Sequence, residues 1–368
     1  MKMTLRLKDR DTCEFDIAAL GEVMLRLDPG ESRIRAARQF SAWEGGGEYN
    51  VARGLSAVFG KRATVLSGLP LNEVGHLVES LMRTSGIDTS LVHWSPYDGV
   101  GESGRLGLNF TERGFGVRPA LGVSDRAHTV AGALTPQDFD LDDLFGRRGV
   151  RWLHTGGIFA SLSPATADLA EHVMKVAHSY GTVVSYDLNY RPSLWRRQGG
   201  QEGAQAVNQR LAKIVDVMLG NEEDFAAALG IAVAGVEPDL NDLPVPAFKS
   251  MIEQATATYP NFEVVATTLR RVVTATVNDW GAIAWSRDHG FAEAKPRLGL
   301  EIMDRVGGGD SFAAGLIYGF MEGMDLADAV QFGNAHGALA MTTPGDCSQA
   351  DLSQVRHLAQ GGSARVVR

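Results

Sequence analysis

The run Asp304-Arg305-Val306-Gly307-Gly308-Gly309-Asp310-Ser311-Phe312-Ala313-Ala314-Gly315 carries residue types suited to group transfer. Three successive glycines lead into an apolar stretch, 311–321, with strong helical character. A helix N-terminus presents unpaired N–H groups and partial positive charge, and glycines let an oxyanion come close to the backbone. That combination suits the charge on a transferring phosphoryl group. Asp310, at the helix start, is placed to accept a proton from an attacking hydroxyl. The same residues read equally well as a loop with Asp310 as its N-cap, a common use of aspartate. No Gly-Lys-Ser/Thr follows, so this is not a Walker A loop.

Other residues have two readings each. In Asp187-Leu188-Asn189-Tyr190-Arg191-Pro192-Ser193-Leu194-Trp195, Arg191 follows an apolar strand. A guanidinium fork there fits a carboxylate in bidentate fashion, and strand C-termini are where α/β sheets place ligands. A structural pairing of Arg191 with Asp187 is the alternative. Asn221-Glu222-Glu223-Asp224 is a polar site element or an ordinary acidic first helical turn. Gly46 is a close-approach position or a turn glycine, and Asp346 a ligand contact or a turn aspartate. His128 and His154 lack zinc-ligand spacing and read as hydrogen-bonded or core histidines. Trp43, Trp152, Trp195, Trp280 and Trp285 read as packing residues.

The elements that must position these residues alternate. Strand-like runs at 15–21, 63–66, 152–154, 183–187, 217–219 and 264–266 are separated by helical spacing at 50–59, 73–84, 164–180 and 222–229. Strands separated by helices imply an α/β fold, a mostly parallel sheet covered on both faces. Residues 24–43 and 100–130 depart from the rhythm, with polar alternation and glycine turns. They are expected to form a small β-sheet lid, built from two insertions, over a site within one domain spanning 1–368. Residues 234–246 are expected to form a surface loop.

The chain has 368 residues, 44% of them hydrophobic, enough for a large core, and a net charge of −9 without a basic block. Nucleic-acid binding is disfavoured, since it needs clustered Lys and Arg. No uncharged apolar stretch reaches the ~18 residues a membrane helix needs, and residues 1–14 lack the apolar core of a secretory signal. The two cysteines, Cys13 and Cys347, match no metal spacing and fit a reducing, cytoplasmic setting.

The 304–315 segment resembles the C-terminal signature of the ribokinase-like (PfkB) sugar kinases. Gly45-Gly46-Gly47-Glu48-Tyr49-Asn50-Val51-Ala52 resembles that family's N-terminal signature, and the order and separation of the two fit it. The 187–195 motif, His154-Thr155-Gly156-Gly157-Ile158 and Asp125-Arg126-Ala127-His128 are similar to segments of 2-keto-3-deoxygluconate kinases. The resemblance implies a ribokinase-like three-layer α/β/α sandwich with a β lid, binding ATP and Mg²⁺. It implies Asp310 as catalytic base, with Gly46, Asn50, Arg191 and Asp346 toward the substrate and Arg191 on the sugar-acid carboxylate. It implies Asn221, Gly281, Gly307, Gly308, Gly309 and Asn334 toward the nucleotide. Asp224 stands where the family has a glutamate linked through water to Mg²⁺. A monovalent cation such as K⁺ beside Asp304 and a homodimer formed through the lid also follow from it.

One departure concerns the nucleotide pocket. Where the family has Thr-Leu-Gly-x-x-Gly, this chain has Thr267-Thr268-Leu269-Arg270, an insertion, and only later Asn278-Asp279-Trp280-Gly281. The expected activity is ATP-dependent phosphorylation of a sugar acid, foremost 2-keto-3-deoxygluconate. The rivals are a kinase of a neutral ketose such as fructose or ribose, and a non-catalytic sugar- or nucleotide-binding regulator. A Rossmann dehydrogenase is weaker, because no Gly-x-Gly-x-x-Gly follows the first strand.

Overall fold

The computed structural model describes residues 5–231 and 245–362. Most of the loop expected at 234–246 therefore lies outside the described residues, and Val245 and Pro246 open the helix Val245–Thr258. In chain order the described strands are β1 (Phe15–Leu20), β2 (Met24–Asp28), β3 (Ser41–Gly45), β4 (Ala63–Pro70), β5 (Ile87–Asp88), β6 (Val92–Ser95), β7 (Leu108–Glu112) and β8 (Leu121–Asp125). They continue with β9 (Val150–Gly156), β10 (Val183–Asp187), β11 (Val217–Leu219), β12 (Val264–Thr274), β13 (Val277–Ser286), β14 (Gly290–Glu293) and β15 (Arg297–Glu301).

The large sheet runs β14-β13-β12-β11-β10-β9-β1-β4-β5, with β15 added to β13 and β6 to β4. From β4 to β12 its neighbours pair in parallel, whereas β13 pairs antiparallel with β12, β14 and β15. β1 and β9 are buried at every position, as expected of parallel strands covered on both faces. Alternate side chains of β1 feed two cores, Ile17 and Ala19 one, Ala18 and Leu20 the other. Helices Gly308–Met321 and Leu326–Ala340 fill the first core, Pro164–Ser179 and Val245–Thr258 the second. The result is three layers, α/β/α. One buried charge is built into β1: Asp16 accepts from Arg62 Nε (3.1 Å) and Arg151 Nη1 (3.2 Å). Burial opposes its ionisation, yet the bonds from Arg62 and Arg151 hold its pKa down to about 2.

A separate small sheet, β3-β2-β7-β8, draws two strands from each of the irregular segments. β3 ends at Gly45, and the chain enters the helix Gly47–Arg53 almost at once. That helix starts earlier than its apolar spacing predicts, as does Gly308–Met321, because glycines at both openings hide the first turn from a periodicity reading. The insertion after Arg270 also gains a form. It prolongs β12 to Thr274 and returns through β13, with Leu269 opposite Gly281 and Arg270 opposite Trp280.

Candidate active site

A cleft of about 670 Å³ opens where the C-terminal ends of β10 and β11 meet the N-terminus of Gly308–Met321, with Asn109 and Ser124 of the small sheet on its rim. Gly307 makes the turn into the helix with φ of 77°. A Cβ there would lie 1.8 Å from the Asp346 carbonyl oxygen, so only glycine fits. The next two glycines differ. A Cβ on Gly308 would point at the Met341 side chain, 3.1 Å away, and the residue is buried packing rather than lining. Gly309 has nothing within 4 Å of its Cβ position and lines the cleft. The open cradle is therefore at Gly307 and Gly309, beside the first N–H groups of the helix.

Asp310 follows directly and reaches the cleft. Asn50 Nδ2 donates to its Oδ2 at 2.6 Å. The Asn50 amide is itself oriented, because its Oδ1 accepts from Gly46 N (3.3 Å) and Cys347 Sγ (3.0 Å). Burial pushes the Asp310 pKa up to about 7; the Asn50 bond and Arg191 oppose the rise, while Asp346 and Glu48 add to it. A carboxylate titrating there changes state near neutral pH and is a competent proton acceptor.

Across the cleft, β10 ends at Asp187, whose pKa is driven up to about 8 by burial and then by the charges of Asp224 and Asp310, against Arg191. The chain turns at Asn189, φ 33°, into Arg191. Asparagine is among the few side chains that tolerate this left-handed region. Arg191 is exposed on the cleft, bonds the Tyr190 carbonyl through Nη1 at 3.0 Å, and forms no ion pair among the described residues. Asp224 braces this turn: its Oδ1 accepts from Tyr190 N (2.8 Å) and its Oδ2 from Asn221 N (3.0 Å). Asn221 Oδ1 accepts from Asp224 N in return (2.9 Å). Asn221 and Asp224 thus form a reciprocal cap on the helix that begins at Glu222, and both oxygens of Asp224 are engaged with backbone.

The cleft brings together Gly46, Asn50, Arg191, Asn221, Asp224 and Asp346 with Gly307, Gly309 and Asp310. Four residues expected at the site lie off its lining. Gly308 packs on Met341, as described. Gly281 sits within β13 opposite Leu269. Asn334 is fully buried behind Trp280: its carbonyl accepts from the Trp280 indole (3.1 Å) and its Nδ2 donates to Lys295 O (3.1 Å). Asp304 is turned to Arg26. That guanidinium, with no exposed surface, meets Asp304 and Asp346 directly and Asp28 at 3.1 Å. A potassium ion beside Asp304 does not fit this arrangement, because a side-chain cation already holds the carboxylate.

Three site residues escape a reading by motif. Arg126 lines the cleft and pairs with buried Glu22 at 2.6 Å; its signal was the polar tetrad 125–128. Asp187 stood in a quoted motif only as the alternative partner of Arg191. Arg26 had only the weak signal of a charge two residues from Asp28 in an otherwise apolar strand. His154, in contrast, is a core residue, bonded to Ser185 Oγ at 2.8 Å, with its pKa lowered to about 3 by burial.

The donor set fits a nucleotide's phosphates: the Gly307–Gly309 cradle, a helix N-terminus, and Arg305 on the lining. Among the described residues no cluster of His, Cys, Asp and Glu is built to cage a metal. A Mg²⁺ ion carried mainly by phosphates needs none, and Asp187 and Glu223 are cleft carboxylates within such a shell's chemistry.

Residues 131–352 match the family model described as pfkB family carbohydrate kinase. The chain is 27% identical over 354 residues to the 2-dehydro-3-deoxygalactonokinase of Haloferax volcanii, covering 96% of this chain and 99% of that one. It is 25% identical to a 5-dehydro-2-deoxygluconokinase of Clostridium perfringens, with 91% and 89% covered. The crystal structure of 2-dehydro-3-deoxygluconokinase from Thermotoga maritima superposes with a TM-score of 0.85 at 35% identity, covering 94% of this chain and 99% of that one. The chain belongs to the pfkB family of carbohydrate kinases. It is a sugar kinase on a ribokinase-like fold, which sets aside the regulator and dehydrogenase readings.

Proposed function

We propose that this kinase transfers the γ-phosphoryl group of ATP to a hydroxyl of a keto-deoxy sugar acid, foremost 2-keto-3-deoxygluconate. The carrying observation is Arg191, a guanidinium without an ion pair among the described residues, held by the Asp224-braced turn on the cleft that Asp310 also lines. A fork so placed recognises a carboxylate, and the three relatives reported above, each named as a kinase of a dehydro-deoxy sugar acid, support the same class. Asp310 accepts the proton of the attacking hydroxyl, and Asn50 keeps its carboxylate aimed. The helix N-terminus at Gly309 and the N–H groups of the glycine turn stabilise negative charge on the moving phosphoryl group. Bound Mg²⁺ would neutralise charge on the ATP phosphates. The outer strand β8, exposed at all five positions, offers an edge for a second copy, in line with a homodimer through the small sheet.

The test is a coupled ADP-release assay on matched acid and neutral sugars, using wild type, Arg191→Leu and Arg191→Lys. Loss of a charge-assisted fork is worth roughly 2–4 kcal/mol, so Arg191→Leu is expected to lose about 30- to 1000-fold in kcat/KM on the acid. Activity on the neutral sugar is expected to change far less, and Lys to rescue only in part. Equal losses on both sugars would assign Arg191 a structural role and leave a neutral ketose as the substrate.

A further inference from the structure

We propose that the guanidinium of Arg26 is a built-in cation for the phosphate-facing turn, so that this enzyme works without a monovalent metal ion. The proposal rests on the kinase reading above, in which that turn holds the moving phosphoryl group.

Arg26 sits in β2 of the small sheet, far in sequence from the turn, and no part of it is exposed. Its Nη1 meets Asp346 and its Nη2 meets both Asp304 and Asp28. Each of the first two carboxylates braces one side of the glycine turn. Asp304 Oδ1 accepts from Val306 N at 3.2 Å, fixing the approach to Gly307. The Asp346 backbone lies directly against Gly307, where a Cβ would meet its carbonyl oxygen. Burial alone would favour the neutral form of Arg26, but Asp346 and Asp304 overcome it and hold its pKa above the ordinary arginine value. The charge is therefore permanent.

A second guanidinium supports the cluster, with Arg113 Nε 3.4 Å from Asp28 Oδ2. Both carboxylates at the turn, Asp304 and Asp346, are already held by Arg26, and Asp28 is shared with Arg113. An alkali ion seated at Asp304 would need the space of Arg26 and would face its like charge. Without Arg26, the buried carboxylates of Asp304 and Asp346 would lose their guanidinium partner while Asp28 kept Arg113, a strongly unfavourable state that an added cation relieves. Arg26 also joins the small sheet to the turn, so the sheet above the cleft and the cradle below it share one set of bonds. It touches no reacting atom in this scheme and is a positioning residue.

The experiment compares KCl, NaCl and tetramethylammonium chloride at matched ionic strength, reading both ADP release and thermal melting. Wild type is expected to turn over at rates within about twofold across the salts, beyond general screening, and to melt at one temperature in all of them. Arg26→Gln is expected to lose about 10²-fold in kcat with a much smaller change in sugar KM, the size of loss seen when a preorganised charge-stabilising group is disturbed. In that variant K⁺ should restore at least about tenfold of the rate and raise the melting temperature by about 3 °C or more, as a ligand binding only the folded state does. Strong K⁺ activation or K⁺ stabilisation of wild type would overturn the proposal, as would a folded Arg26→Gln blind to K⁺ in both readouts. Should Arg26→Gln not fold, Arg26→Lys replaces it: with the charge kept, it is expected to be as indifferent to K⁺ as wild type, and a K⁺ requirement in it would refute the reading. If no sugar is phosphorylated in any salt, the kinase reading fails, while the melting data still decide the cation question.

Discussion

The pKa of Asp310 makes the base assignment measurable without any substitution. With the carboxyl titrating at about 7, it is ionised to about three quarters at pH 7.5 and to about one tenth at pH 6. If only the ionised form accepts the hydroxyl proton, kcat/KM on a sugar acid should fall about eightfold across that interval, since this ratio follows the groups of the free enzyme. The sugar carboxylate stays ionised throughout, and saturating Mg²⁺ keeps the nucleotide in one form. Asn50→Ala gives the second arm. The Asn50 bond lowers the Asp310 pKa, so its removal should move the acid limb upward by about one unit, alongside any loss of substrate contact. Asp310→Asn, which keeps shape and a cap but cannot accept the proton, should lose about 10²–10⁴-fold in kcat. A stability readout is independent of substrate. Because Asp310 binds its proton more tightly in the folded chain than in the unfolded one, it costs stability progressively as pH rises from the ordinary carboxylate range through about 7. Asp310→Asn should therefore melt higher than wild type at pH 8 and not at pH 4. A flat wild-type profile of kcat/KM from pH 6 to 7.5, or near-normal turnover in Asp310→Asn, would refute the assignment.

Three further substitutions test the glycine turn and the buried charge of β1. Gly309→Val should fold, because its Cβ position is open, yet block phosphoryl transfer by filling the cradle. Gly308→Ala should act mainly on stability through the 3.1 Å contact with Met341; ADP release and melting curves on both variants separate the roles, and full activity in Gly309→Val would show the turn to be a linker. Asp16→Asn should destabilise the protein at neutral pH, because Arg62 and Arg151 depress the Asp16 pKa to about 2. That contribution is fully present above the ordinary aspartate pKa and vanishes as pH falls through about 2. Melting or urea midpoints of the two proteins should converge toward low pH, and a constant gap would refute the linkage.

The layers of the fold were legible because its parallel strands are buried on both faces and read as apolar runs, as at 15–20 and 183–187. Helix starts at Gly47 and Gly308 were not, since glycine has the low helix propensity of a loop, and the glycine before each is demanded by close approach, Gly46 to the Glu22 carbonyl and Gly307 to that of Asp346. The insertion after Arg270 looked like a break in a phosphate-site motif. It is a continued ladder, Arg270 to Val272 paired with Asn278 to Trp280, which periodicity alone could not align across its turn. The glycine triplet illustrates the limit within a motif. Type and spacing treat Gly307, Gly308 and Gly309 alike, but only the backbone path shows that the first is forced by Asp346, the second packs inward, and the third opens to the cleft.

What composition and spacing identify least well is the chemistry that depends on pairs distant in the chain. Asn50 and Asp310 are separated by 260 positions, and Arg26 and Asp346 by 320, yet each pair is a direct hydrogen bond. A signature can nominate Asp310 as a base, but its working pKa is set by burial and by Asn50, Arg191, Asp346 and Glu48, none of them its sequence neighbours. The same holds for Asp304. Resemblance to the family sets a monovalent ion beside it, and only the return of β2 through the small sheet brings Arg26 onto it. The irregular segment 24–43 is therefore more than a cover. It delivers Arg26 to the turn and then, through Gly46, delivers Asn50 to the base. Both long-range bonds that condition the site run from residues 26–50, so substitutions in this stretch should alter phosphoryl transfer even where they touch neither sugar nor nucleotide.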